Sequence, residues 1–273
     1  DAAPECRRRA VTRPLWLTTI LLMLPGLSWG FAYTTAASDG SFEQNAVSGQ
    51  PVVWANPLQG IALNFRGSLG FDGDATAEAA MGEWNAVNSA LQYQQGAARP
   101  TCVSGDNTNS AGWGAVTCDG AAFGDALAIT KRSYIQVGGV WYLREADIVV
   151  DQGRTWAVYN GPLRRSAVDF HRVILHELGH VLGLDHPDVA GQNVVAIMNS
   201  HTGNIDSLQD DDRQGVIRLY GAGTGTSTSS NSTGQSGGTP SRGGGGGAET
   251  ALMGLAWLGR RLRRGVRHAS AQN

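Results

Sequence analysis

The chain has 273 residues, with 21 Lys plus Arg against 23 Asp plus Glu for a net charge of −2, and 41% hydrophobic residues. The charge is unevenly placed: residues 33–221 hold 11 basic and 20 acidic residues, a net of −9, while both ends are rich in arginine. An acidic middle argues against nucleic acid as its partner, because phosphate-tracking surfaces need clustered Lys and Arg.

The first stretch places Arg7, Arg8, Arg9 and Arg13 before an apolar run from Leu15 to Leu24, and small residues follow up to Ala32. Basic, apolar and small-residue zones in this order predict a secretory signal over 1–32, cut after Gly30 or Ala32. The apolar run is too short to cross a bilayer core of about 30 Å as a permanent helix, although a retained membrane anchor is the alternative. Loss of the leader would remove Cys6 and leave Cys102 and Cys118. In an exported chain such a pair is expected to form a disulfide contributing about 3 kcal/mol.

Residues 33–50 read as an N-terminal segment and 51–221 as one folded domain, large enough for a sizeable core. A strand is expected near 61–65. A helix follows at about 75–90, capped by Asp72 and carrying Ala79, Trp84, Val87 and Leu91 on its apolar side. A short strand is expected near 91–94, then a loop insertion over 96–124 pinned by the disulfide. Strands near 127–135 and 140–151 are joined through Gly138-Gly139, a hairpin signal. A helix over 167–182 comes next, and Asp210 is expected to cap a last helix before Gly221.

The most informative run is His176-Glu177-Leu178-Gly179-His180-Val181-Leu182-Gly183-Leu184-Asp185-His186. Residues four apart share a helix face, so His176 and His180 can hold one ion between them, with Glu177 beside it. A continuous helix would carry His186 roughly 9 Å past His180, too far for a metal bond of about 2.0–2.1 Å. The helix must therefore stop, and Gly183 can adopt the left-handed conformation that ends it. Three neutral histidines leave a zinc ion one open position, the mark of a catalytic rather than a structural site. A zinc ion so held lowers the pKa of water towards about 7, and Glu177 is placed to act as general base and acid.

After Gly221 the composition turns to Gly, Ser and Thr through Gly247, a linker that cannot bury enough apolar surface to fold. The segment 248–273 combines a short apolar stretch, Thr250 to Leu258, with Arg260, Arg261, Arg263, Arg264 and Arg267. It resembles the glycine-glycine type of C-terminal sorting signal of Gram-negative bacteria, which implies membrane or sorting machinery as a partner. A basic amphipathic helix on anionic lipid is the competing reading.

The zinc motif, with Ala196-Ile197-Met198-Asn199 following it, resembles the metzincin clan of zinc endopeptidases, whose long histidine motif is followed by a methionine turn. Within the clan the likeness is to matrixin-like and serralysin-like enzymes. Ala146 to Val150 is similar to their strand before the active-site helix, and Asp210 to Gly221 to their closing helix. Pro187 is serralysin-like, and Ser200 stands where serralysins and astacins carry a tyrosine. The resemblance implies an α+β fold: a metzincin-like mixed twisted sheet on two long helices, with the active-site helix and a small irregular C-terminal subdomain. It also implies Zn²⁺ at His176, His180 and His186, Met198 as an apolar floor, and structural Ca²⁺ at sites that these residues do not place. The implied substrate is a protein or peptide lying along an edge strand, and a monomer is expected. With Cys6 removed, an enzyme that is not silenced by a prosegment cysteine is expected.

Two other functions remain open at this stage: a surface-anchored binding or adhesion module on the same fold, and a hydrolase of a non-peptide amide. His171 and His201 read as a helix-surface and a solvated loop residue.

Overall fold

The computed structural model describes residues 30–67, 70–223 and 270–271. The leader and the linker-and-tail readings lie outside these residues, apart from Gly30 to Ala32, Ala222 to Gly223 and Ser270 to Ala271.

Strands β1 (Ala32–Ala36) and β2 (Phe42–Ala46) form a hairpin, followed by β3 (Val53–Trp54) and β4 (Leu58–Asn64). Helix α1 (Gly73–Asn85) leads to β5 (Gln92–Gln95), β6 (Asn109–Gly114), β7 (Ala128–Val137) and β8 (Val140–Asp151). The short parallel pair β9 (Trp156–Ala157) and β10 (Val168–Asp169) precedes α2 (Phe170–Val181). Strand β11 (Leu184–Asp185), α3 (Asp210–Tyr220) and β12 (Ser270–Ala271) complete the described elements.

The main sheet runs β5-β4-β6-β8-β7, with β12 outside β7 and β3 pairing β8. Strands β5, β4, β6 and β8 are parallel, whereas β7 is antiparallel to β8. This is the mixed sheet expected. The β7–β8 hairpin turns on Gly138 and Gly139, whose φ values of 61° and 86° an L side chain rarely adopts.

Helices α1 and α2 pack against each other and the sheet. Helix α1 starts where Asp72 accepts a hydrogen bond from Ala75 N at 3.0 Å. It buries Ala77, Ala80, Met81 and Trp84, the spacing of a single helix face. Ala79, expected on that face, is exposed, since Ala80 takes the inward position, and the helix ends at Asn85, so Val87 and Leu91 lie beyond it rather than on its apolar side. Asp210 is likewise not the cap of α3. Gln209 holds that place, in a capping box with Asp212.

The stretch 96–124 is not one loop, since it contains β6, a central strand of the sheet. Its sequence, Asn-Ser-Ala-Gly-Trp-Gly, lacks a strand's usual β-branched run. The glycines are required by crowding: a Cβ on Gly112 would stand 2.3 Å from Thr101 Oγ1, and one on Gly114 2.4 Å from Val149 Cγ2. Cys102 and Cys118 are bonded to each other. The loop before β6 covers the sheet face away from the helices, where the buried Glu145 carboxylate accepts hydrogen bonds from Gly105 N and Asn107 N, both at 2.8 Å. Ala146, Ile148 and Val150 of the same strand face the helices. Strand β8 is thus buried on both faces from Glu145 to Val150, with Glu145 and Asp147 hydrogen-bonded on the face away from the helices.

The β1–β2 hairpin, in the stretch assigned to a separate N-terminal segment, pairs through β1 with β11 and so belongs to the same folded unit. Among the described residues no helix is long and apolar enough to cross a membrane.

Asp147 on β8 accepts from Ser110 N and Oγ, and burial raises its carboxyl to about 6, opposed by the Ser110 hydroxyl. Between the unfolded value near 3.9 and this folded value, the folded protein binds a proton that the unfolded chain has released, so stability falls as pH rises through this window. Asp147→Asn keeps the acceptor and removes the titration. Urea unfolding in chelator should find the variant more stable than wild type by about 1–2 kcal/mol at pH 7, with the gap closing near pH 4.

Candidate metal centre

Helix α2 carries the first two histidines of the motif, and aromatic donors bond carbonyls along its C-terminal half. Trp84 Nε1 donates to Leu175 O at 2.9 Å, Trp54 Nε1 to Val181 O at 2.7 Å and Tyr220 OH to Leu182 O at 2.6 Å. Tyr93 OH donates to Leu178 O at 2.5 Å. Carbonyls at a helix C-terminus have no intrahelical partner, and a buried helix end needs such donors. The helix stops as expected: Gly183 has φ 92°, and its N–H bonds His180 O. The chain then turns into β11 and returns His186 towards the helix.

The three imidazoles converge. His186 Nε2 lies 3.1 Å from His180 Nε2 and 3.2 Å from His176 Nε2. Their Nδ1 atoms are engaged elsewhere, His176 with Ile197 O and His180 with Leu184 O, both at 2.8 Å. A carbonyl only accepts, so each of these Nδ1 atoms carries the proton and each Nε2 presents a lone pair. Lone pairs turned towards one another are repulsive unless a cation lies between them. Three nitrogens bound to one tetrahedral zinc at about 2.0–2.1 Å stand about 3.3 Å apart, so the cluster fits that ion closely. Among the described residues these three form the one group of His, Cys, Asp or Glu able to hold a metal. Burial lowers the pKa of His180 well below the usual histidine value and that of His186 to about 4, with the neighbouring His176 adding to both shifts. The latter two rings are therefore neutral at physiological pH, the form a metal requires.

Glu177 is buried beside the cluster, and Thr130 Oγ1 donates to its Oε2 at 2.5 Å. Burial raises the Glu177 carboxyl, while His176, the Thr130 hydroxyl and Arg132 act in the opposite direction. Behind β11, Arg132 and Asp185 form a fully buried pair at 2.7 Å. Asp185 also accepts from Thr34 Oγ1 at 2.8 Å and Asn45 N at 3.1 Å.

Met198 lies under the helix. A Cβ on Gly179 would come within 2.2 Å of Met198 Sδ, so the helix glycine is required by close approach of the methionine. Asp212 of α3 accepts from Ile197 N at 2.9 Å and Met198 N at 3.2 Å. The same turn thus supplies the Ile197 carbonyl that orients His176.

A cleft of about 430 Å³ opens over the histidines, lined on one side by Ala128, Ile129 and Thr130 of β7 and on the other by Asn199 to Gly203. His201 is exposed and lines this cleft, with Nδ1 2.9 Å from Ser200 Oγ. His171 lies outside it, pairing with Glu83 at 2.9 Å. Thr130, Asp185, Asn45 and Asp212 were not singled out from sequence. The available signal was polar residues at inward positions of β7, where Thr130, Arg132 and Tyr134 alternate and are all buried.

Gly179→Ala should test the helix–methionine contact. Alanine normally stabilises a helix interior by about 1 kcal/mol over glycine, but overpacking here should reverse the sign and cost about 1–3 kcal/mol in urea unfolding.

Residues 114–221 match the family described as Matrixin. The chain is 32% identical over 104 residues to "Metalloendoproteinase 4-MMP" and 32% over 106 residues to "Metalloendoproteinase 1-MMP", both of Arabidopsis thaliana. Each match takes in 38% of this chain, and covers 28% and 27% of the relatives' own lengths respectively. A solved structure of myroilysin aligns over 62% of this chain and 82% of its own, at 12% identity and a TM-score of 0.35. Residues 114–221, which carry the histidine helix, the methionine turn and the closing helix, are thus the part of the chain that is similar to the matrixins.

Proposed function

We propose that this chain is an exported, zinc-dependent endopeptidase in which His176, His180 and His186 hold the metal and Glu177 moves the proton. The observation that carries the reading is the convergence of three Nε2 atoms within a cleft whose wall includes a buried carboxylate. His176, His180 and His186 would hold a zinc ion that, when bound, would lower the pKa of water from about 15.7 to about 7 and polarise a carbonyl. Glu177 accepts the proton of the attacking water and delivers it to the leaving amine. The Thr130 hydroxyl keeps the carboxylate in one rotamer, facing the cleft rather than turned away.

Substrate binding follows from the sheet. The cleft-lining residues Ala128 to Thr130 belong to β7, and among the described strands only β12 pairs beyond it, at Arg132 and Ser133. An extended peptide can add to the remaining edge through main-chain hydrogen bonds, its side chains entering the space between β7 and residues 199–203. Export rests on the basic and apolar leader read from sequence, and a Gram-negative source on the tail.

Two measurements decide the reading. Glu177→Gln should retain one zinc per chain while cleavage of unfolded protein falls by about 10²–10⁴-fold. Removal of zinc by a chelator should abolish wild-type cleavage, and zinc should restore it. Proteolysis unchanged in Glu177→Gln excludes this carboxylate as the base.

A further inference from the structure

His176 and His180 are held by one helix, but His186 follows a two-residue strand outside it. Its position depends on what grips the backbone at 185–186, and that grip comes from the other end of the chain. His186 N donates to Asn45 Oδ1 at 2.9 Å, across 141 residues of sequence. Asn45 N in turn donates to Asp185 Oδ2 at 3.1 Å, so one asparagine takes hold of two successive residues. Thr34 Oγ1 donates to the same Asp185 oxygen, and β1 pairs antiparallel with β11 through Ala32 with Asp185 and Tyr33 with Leu184. On the far side Arg132 engages Asp185 Oδ1.

Asn45 has φ 55°, in the left-handed region where asparagine is tolerated better than most L residues. That conformation lets its amide N–H and its side-chain oxygen reach the same strand. Nothing in the histidine motif calls for a residue at 45, and the local sequence Phe-Glu-Gln-Asn-Ala has no feature of a metal site.

We propose that Asn45 of the N-terminal hairpin is a positioning residue for the third metal ligand, so that the β1–β2 hairpin sets how tightly the centre retains zinc. The proposal rests on the reading of His176, His180 and His186 as the metal site. Its physical basis is preorganisation. With Asn45 in place the peptide between Asp185 and His186 is pinned from both ends, and the imidazole starts at bonding distance from the other two. Without it the backbone at 186 keeps its covalent path but gains freedom, and the third bond must order it on binding. Partners of this kind, acting on a ligand from outside the metal's own contacts, change metal affinity by about 10–100-fold.

The test uses Asn45→Gly, which tolerates the positive φ and deletes the side chain that carries the acceptor. Zinc affinity is read by competition with a chromophoric chelator, and ligand geometry by the visible bands of the cobalt-loaded protein. Asn45→Gly should bind zinc about 10–100-fold more weakly and shift or broaden the cobalt bands, with the metal-free unfolding midpoint within a few degrees of wild type. Asn88→Gly, another asparagine at positive φ but remote from the histidines, should leave both readouts unchanged. Zinc affinity within twofold of wild type in Asn45→Gly, or an equal loss in Asn88→Gly, overturns the proposal. Should Asn45→Gly fail to fold, Thr34→Val removes the neighbouring support of Asp185, and a zinc affinity within twofold of wild type then overturns it. A wild-type protein that binds no zinc at all refutes the metal site itself, a different outcome from either.

Discussion

The site depends on backbone carbonyls that accept from histidine rings. Ile197 O and Leu184 O each take an Nδ1–H, which fixes the tautomer and aims two Nε2 lone pairs at one point. The two carbonyls come from segments that follow the helix: Leu184 lies just past its end, and Ile197 lies in the methionine turn. A ring that could rotate, or that carried its proton on the other nitrogen, would leave the centre without a full set of donors. Burial supports the same end by keeping His180 and His186 neutral.

Each of those segments is held by a buried carboxylate. Asp212, at the start of α3, accepts from Ile197 N and Met198 N, and burial raises it to about 6. Asp185 accepts from Thr34 and Asn45 and pairs with Arg132. Buried charges are costly when isolated but specify geometry when every lone pair is engaged. Asp212 and Asp185 have backbone or side-chain donors on both oxygens, so the chain accepts two desolvated carboxylates and obtains two fixed turns. The neighbouring Asp211 accepts from Gly30 N at 2.7 Å, tying the start of the hairpin to the same helix.

Much of this was legible before any coordinates. Patterns with a short period read well: the β7–β8 hairpin around Gly138-Gly139, the cap at Asp72, and the histidine helix with its stop at Gly183 all lie within a few residues of expectation. Strand β6 did not read as a strand, because it is held by close approach to Thr101 and Val149 and by partners on both sides, none of which leaves a local signal. The cap of α3 was misplaced by one residue within three consecutive aspartates, where only the direction of each side chain distinguishes cap from first turn.

The sequence by itself determined the donor set on which the proposed chemistry rests: histidines at helical spacing, a carboxylate one step round and a glycine to end the helix. Only the tertiary structure decided what holds that chemistry in place. Asn45 and His186 are 141 positions apart, and Thr130 and Glu177 are 47 apart. Contacts at such separations arise from the sheet order and the return of β1 onto β11, and no periodicity in a linear sequence records them.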